Sequence, residues 1–274
     1  MNTSEAFRVG VCTWIFADQP LPVTAGRLAG LGFDGVELLG DLSLYSAKEA
    51  ARVLDDHGLQ PFSLTPENVD LSHPDDSVRR SAVDYFYRLI DFAAEFELKP
   101  LVSCHGIVGR IAPISSMVQE NDLLIQSVHE ICWRAKDNGL LVVYEVLNRY
   151  ETHQIHTGAQ ALELIDKVGL DNLGVLLDAY HMNIEESVPS KTIEEVGSRL
   201  WLYHAADSNR RAIGLGHTDF ARQLGALRAI SYTGPIILEC TAPGPNPFTS
   251  AKAEGWRSVL EEDLALSVAW LAAN

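Results

Sequence analysis

The sequence predicts a parallel (β/α)8 barrel, on three observations. Eight short apolar runs alternate with eight amphipathic stretches along the 274-residue chain. The runs are nearly continuous in Val, Leu and Ile rather than alternating, as strands buried on both faces are. Glu145, Asp178, His204 and Glu239, all metal-binding side-chain types, stand at or beside the ends of four successive runs, 33, 26 and 35 residues apart. That spacing is close to one βα unit per residue, and four such groups converge only if the strands curl about a common axis.

The first strand is expected at residues 8–12 and the first helix at 23–31, where apolar residues return at helical spacing. Strands at 35–39 and 60–64 flank a helix at 47–57, and Gly32 and Gly58 stand just ahead of them, where a glycine ends a helix in the left-handed conformation. The third helix, 76–97, repeats Val83, Phe86, Tyr87, Ile90 and Ala94 on one face, the pattern that packs on the outside of a parallel sheet. Strand four follows at 99–104. A helix at 117–138 and Gly139 lead into Leu140-Leu-Val-Val-Tyr144, which ends on Glu145. A helix at 158–168 and Gly169 precede Leu173-Gly-Val-Leu-Leu177, which ends on Asp178. A helix at 193–199 leads to Leu200-Trp-Leu-Tyr203 and His204. A helix at 220–230 and Gly234 lead to Pro235-Ile-Ile-Leu238 and Glu239, and a last helix is expected at 253–273.

No GxGxxG follows the first strand and no composition shift or linker divides the chain, so one barrel domain over residues 1–274 is expected rather than a doubly wound sheet. The irregular stretches 65–74, 105–116, 205–218 and 241–250 all follow strand ends. In a barrel they form the rim of the active-site face.

The composition, 47% hydrophobic and 21% charged, is that of a chain that buries a sizeable core. A formal net charge of −16 opposes a phosphate backbone, so no nucleic-acid partner is expected. No run approaches about 18 apolar residues and the first residues lack a basic cluster and an apolar segment, so no membrane association and a cytoplasmic location are expected. Cys12, Cys104, Cys132 and Cys240 form no CxxC pair and read as buried free thiols.

Three carboxylates and one imidazole make an oxygen-rich donor set, suited to Mn²⁺, Co²⁺ or Mg²⁺ rather than to a thiolate-preferring metal. Any one of the four alone is an ordinary polar group at a barrel rim; the set of four at matching strand ends is not. Other residues expected near the mouth are His105 after strand four, Glu37 at the end of strand two as a support for the site, and Trp14 and Phe16 as an apolar wall or as core.

The strings Glu145-Val-Leu-Asn-Arg-Tyr-Glu151, Asp178-Ala-Tyr-His181-Met-Asn-Ile-Glu-Glu186, His204-Ala-Ala-Asp-Ser-Asn-Arg210 and Gly214-Leu-Gly-His217, followed by Glu239, resemble the ketose 3-epimerases of the D-tagatose and D-allulose 3-epimerase group, within the xylose-isomerase-like TIM barrels. The likeness is close in the second half of the chain and mainly architectural in the first. It implies one divalent cation, most often Mn²⁺, bound by Glu145, Asp178, His204 and Glu239. It implies proton transfer by Glu145 and Glu239, sugar contacts from Glu151, His181 and Arg210, a ketose substrate, and a homodimer or homotetramer. The chemistry agrees: epimerising next to a carbonyl removes a weakly acidic C–H proton and returns one to the opposite face, which needs two bases and a cation to spread the enediolate charge.

Two departures bear on the substrate. Glu239 is followed by Cys-Thr-Ala-Pro-Gly-Pro-Asn-Pro-Phe248, where the group more often has Pro-Phe at once, and Val11-Cys-Thr-Trp14 lacks an aromatic residue that is often present there. The same two glutamates would also serve a metal-dependent isomerase of a ketose or hydroxypyruvate-like acid, or a dehydratase of an inosose-like ketone. An abasic-site endonuclease is disfavoured by Leu64-Thr65 at the end of strand three, by His217-Thr-Asp219 and by the acidic charge. A non-catalytic sugar-binding barrel is disfavoured because both proton-transfer glutamates are present.

Overall fold

The computed structural model describes residues 7–244 and 252–274. Residues 245–250 of the expected rim stretch 241–250, with the Pro-Phe pair at 247–248, lie outside the described residues. Eight parallel strands close into a barrel in chain order: β1 (Val9–Cys12), β2 (Gly35–Leu39), β3 (Gln60–Thr65), β4 (Leu101–Cys104), β5 (Val142–Glu145), β6 (Leu173–Asp178), β7 (Leu200–Ala205) and β8 (Ile236–Leu238). β1 pairs with β8 through Val9↔Ile236 to Val11↔Leu238, which closes the ring. Strand four starts later than expected because Pro100 has no backbone N–H to give to a ladder.

Around the barrel lie α1 (Leu21–Gly30), α2 (Ala47–Asp56), α3 (Asp76–Ala94), α4 (Met117–Asp137), α5 (Gly158–Val168), α6 (Ala179–Glu185), α7 (Pro189–Val196), α8 (Phe220–Ala229) and α9 (Trp256–Ala273). Several start at side-chain caps, including capping boxes at Ser46/Glu49 and Thr157/Gln160. α1 and α7 instead begin with a proline in the first turn, which fixes their starts earlier than periodicity suggests. Gly169 ends α5 in the left-handed conformation, as expected. Gly234 does not: Ser231 takes the positive φ there, and Gly234 is needed because a Cβ would strike the Trp201 carbonyl and the Tyr232 ring.

α6 is not expected from the sequence. Seven residues carry too little periodicity to show a helix, and its start is set by Asp178, whose Oδ1 accepts the backbone N–H of Tyr180 at 2.7 Å. This places His181 on a helix rather than in the loop that the sequence suggests. The four cysteines are buried and free, and burial raises each thiol's pKa. Among the described residues no helix is long and apolar enough to cross a membrane.

Strand register carries the site. Asp178 pairs with His204, and Ala205 pairs with Leu238, so Glu239 follows directly beyond the end of β8. Glu145 closes β5 opposite Leu176, two residues short of Asp178 and therefore on the same face of the sheet. The tilt of the barrel thus brings the four side chains to one level at the C-terminal mouth.

Candidate active site

Glu145, Asp178, His204 and Glu239 each offer one ligand atom, and these atoms all lie within 4.8 Å of one another. All four residues are buried. His204 is oriented by its other nitrogen: Nε2 lies 3.2 Å from Glu37 Oε2, and Glu37 is saturated by Ser63 Oγ and Thr65 Oγ1, each donating at 2.6 Å. Burial works against the Glu37 charge, but His204 and the two hydroxyls hold its pKa below the ordinary carboxylate value. Glu37 therefore holds a proton of His204 on Nε2 and points Nδ1 at the centre; against burial, Glu37, Glu239 and Glu145 raise the imidazole pKa well above its ordinary value, so without a cation the ring is itself protonated.

At that centre Nδ1 faces Glu145 Oε1 at 3.7 Å and Glu239 Oε1 at 3.8 Å. His204 Nδ1 and Asp178 Oδ2 are both buried without a hydrogen-bond partner. Carboxylate oxygens held this close in a buried site repel unless positive charge lies among them. The protonation energetics agree. Burial drives the Glu145 carboxyl well above its ordinary range, opposed by His204 and reinforced by the neighbouring carboxylates. Burial likewise pushes Asp178 up to about 7, against the pull of Arg210. The donor set and its unpaired atoms therefore fit a divalent cation, which would displace protons that the bare cluster retains.

A second ring of residues surrounds this centre. Arg210 Nη1 donates to Glu239 Oε2 at 2.5 Å and lies 3.6 Å from Asp178 Oδ2, while its guanidinium stacks 4.1 Å from the centre of the Tyr180 ring. Arg210 has a φ of 61°, an uncommon conformation for a bulky residue, and the β7 loop enforces it. Asp207 accepts backbone N–H groups from Ser208, Gly214 and Thr218, and the Asp207 carbonyl accepts that of Arg210 at 2.7 Å.

His181 is fixed in one tautomer. Its Nδ1 accepts the backbone N–H of Asn148 at 3.2 Å and the Asn148 side-chain amide at 2.7 Å, and the amide is itself oriented by Tyr150 N–H donating to Oδ1. The remaining proton sits on Nε2, 3.5 Å from Asp178 Oδ2. Burial, with Arg210 and His204 nearby, lowers the His181 pKa well below its ordinary value, so the ring is neutral and donates from Nε2. Glu151 Oε1 accepts from Asn148 Nδ2 at 3.1 Å and lies 3.9 Å from Arg210. Arg149, two residues before it, pairs with Glu185 rather than with Glu151.

The cavity over the cluster has a volume of about 570 Å³, and its floor is formed by Glu145, Glu239, Glu151, His181, Arg210 and His105. All seven residues singled out from the sequence therefore gather at one mouth. Trp14 is more than an apolar wall: its indole N–H donates to Glu239 Oε1 at 3.0 Å. Phe16 is core. Sequence reasoning assigns no role to Asn148, although it lies inside a recognised string; its three-residue spacing from both Glu145 and Glu151 is the available signal. It also misses Tyr180, and the rim residues Leu44, Asn68 and Val108, which only loop geometry brings to the cavity.

Residues 26–265 match the family model described as xylose isomerase-like TIM barrel. The chain is 33% identical over 234 residues to a ketose 3-epimerase of Arthrobacter globiformis, covering 84% of this chain and 80% of that protein. The chain belongs to the xylose isomerase-like TIM barrel family. The ketose 3-epimerase relatives are carbohydrate epimerases, enzymes of the isomerase class. The chain is also 28% identical over 249 residues to the 3-dehydro-D-guloside 4-epimerase of Escherichia coli, covering 88% of this chain and 90% of that one. Its fold matches a D-psicose 3-epimerase solved with D-tagatose from Clostridium cellulolyticum H10, with a TM-score of 0.86 at 22% identity, covering 97% and 98% of the two chains.

Proposed function

We propose that residues 1–274 form one barrel domain that epimerises a free ketose at C3, with one divalent cation as cofactor. The observation that carries this reading is the placement of Glu145 and Glu239. They stand three strands apart around the ring, border the same buried cluster, and open on the same cavity. From there two carboxylates reach a bound sugar from different sides, as inversion at one carbon requires.

When bound, the cation supplies Lewis-acid charge for the enediolate oxygens. Asp178 and His204, with no proton-transfer duty, would hold it together with the two glutamates. One glutamate takes the C3 proton and the other returns a proton on the opposite face. Arg210 holds Glu239 in place and, with the Nε2 proton of His181, donates to sugar oxygens; Glu151 accepts from a hydroxyl. The oxygen-rich donor set supports Mn²⁺ first, with Co²⁺ or Mg²⁺ as alternatives. A homodimer or homotetramer, a cytoplasmic location and the absence of nucleic-acid and membrane partners belong to the same proposal.

Epimerisation at C4, next to a ring ketone, is the second reading. It uses the same two glutamates and is supported by the Escherichia coli relative and by a cavity larger than one sugar. The test is turnover of a ketose panel and of 3-keto-glycosides by protein loaded with Mn²⁺, against protein held in chelator. A C3 epimer formed only with metal supports the proposal. A C4 epimer selects the second reading, and an aldose product moves the case to an isomerase. Glu145→Gln and Glu239→Gln should each abolish turnover while the barrel stays folded.

A further inference from the structure

The outer half of the cavity differs from its floor. Ala17, Leu39, Leu44, Val108 and Leu147 give it an apolar wall, and Leu44 is 57% exposed. Leu44 and Val108 lie several residues past the ends of β2 and β4, so they stand on the rim, away from the cation cluster. The wall is braced: Asn68 donates its amide to the Val108 carbonyl at 3.0 Å and accepts the Val108 N–H at 2.8 Å, tying the β3 loop to the β4 loop. Charge at this end is negative, from Asp18 and Asp41. Among the described lining residues the only arginine or lysine is Arg210, and it is engaged by Glu239, Asp178 and Glu151.

Volume makes the same point. A ketohexose has about twelve non-hydrogen atoms, and even at water's share of roughly 30 Å³ per heavy atom it occupies about 360 Å³. Against a cavity of about 570 Å³ this leaves about 200 Å³ beyond the sugar. We propose that this outer space is a subsite for an uncharged apolar substituent carried by the sugar, an aglycone, so that an apolar glycoside of a keto-sugar binds more tightly than the free ketose that the floor accepts, and a phosphorylated ketose binds less tightly. The inference rests on the reading of the floor as a keto-sugar epimerisation site. The braced apolar wall supplies the contact, and the two aspartates with no unpaired cation exclude a phosphate.

The experiment is calorimetric binding to Mn²⁺-loaded protein of D-fructose, D-fructose 6-phosphate, and the methyl and phenyl β-glycosides of 3-keto-D-glucose, with turnover of each recorded separately. The phenyl glycoside is expected to bind roughly tenfold more tightly than the methyl one. Leu44→Ser should shrink that ratio to about threefold or less, while methyl glycoside affinity, the control for an intact floor, stays within about twofold. Equal affinities for the two glycosides, or tightest binding of the phosphate, overturn the subsite. Turnover of D-fructose with no gain from phenyl sinks the subsite alone. Tight phenyl binding with no turnover of any keto-sugar keeps the subsite and sinks the epimerase reading.

Discussion

Removing the cation should make the protein's stability fall as pH rises, and Asp178→Asn should remove much of that fall. The Asp178 carboxyl is raised from 3.8 to about 7 in the folded chain. Between those values the folded state keeps a proton that the unfolded state has released, so the contribution of Asp178 to stability is fully present below pH 3.8 and is lost as pH climbs through about 7. At about 1.4 kcal/mol per pH unit the loss sums to about 4 kcal/mol, an upper figure because Glu145 shares the same protons. The amide introduced by the substitution cannot titrate, and its oxygen still caps Tyr180. In chelator, urea midpoints or thermal melts of the two proteins should therefore diverge from pH 4.5 to pH 8. The variant should gain roughly 2–4 kcal/mol on the wild type, or about 5–10 °C in Tm. Saturating Mn²⁺ should reverse the order, adding about 3 kcal/mol to the wild type at a hundredfold excess over Kd. Parallel pH curves for the two metal-free proteins would refute the account of a proton-holding cluster.

Glu37→Gln should leave the barrel folded but weaken metal binding by about 10- to 100-fold in a competition titration, because a neutral amide replaces the charged acceptor that orients His204 and fixes its tautomer. Asn148→Ala removes the closer of the two donors that hold His181 Nδ1 as an acceptor, leaving only the backbone N–H, and weakens the preference for the Nε2 tautomer, so kcat should fall several-fold with a smaller change in KM; unchanged kcat would remove the side-chain amide from the argument. Glu120→Ala, which strips Arg110 and His153 of a buried partner and frees the N–H groups of Ile114 and Ser115, should destabilise the chain by about 3 kcal/mol in urea unfolding.

The cation quartet is legible in the sequence because barrel strands put chemistry at their ends. Glu145 and Asp178 terminate long apolar runs, and the βα period spaces all four residues. Glu37, expected at the end of strand two, is instead the third of the five residues of β2, and its support of the site comes from facing His204 across the barrel. What cannot be read is whatever depends on a side chain's direction or on short local structure. Asp178 serves as helix cap and candidate ligand at once, and a seven-residue helix leaves no periodic trace, so sequence alone puts His181 on a loop. The tautomer of His181 depends on Asn148, which in sequence is one polar residue among several. Trp14 reads as apolar by composition, yet its indole N–H holds Glu239 from 225 residues away. The outer wall comes from the ends of four separate strands, β1, β2, β4 and β5, and the loops that follow them, whose meeting no local pattern announces.

The central claim is that Glu145 and Glu239 exchange the proton on the carbon beside a keto-sugar's carbonyl. It is tested most directly by incubating Mn²⁺-loaded protein with ketoses and 3-keto-glycosides in D2O and locating deuterium by NMR. The account predicts one deuteron on the inverted carbon of the product, and none with Glu145→Gln or Glu239→Gln. Inverted product without deuterium, or label confined to C1 of the ketose or to C2 of an aldose product, would contradict it.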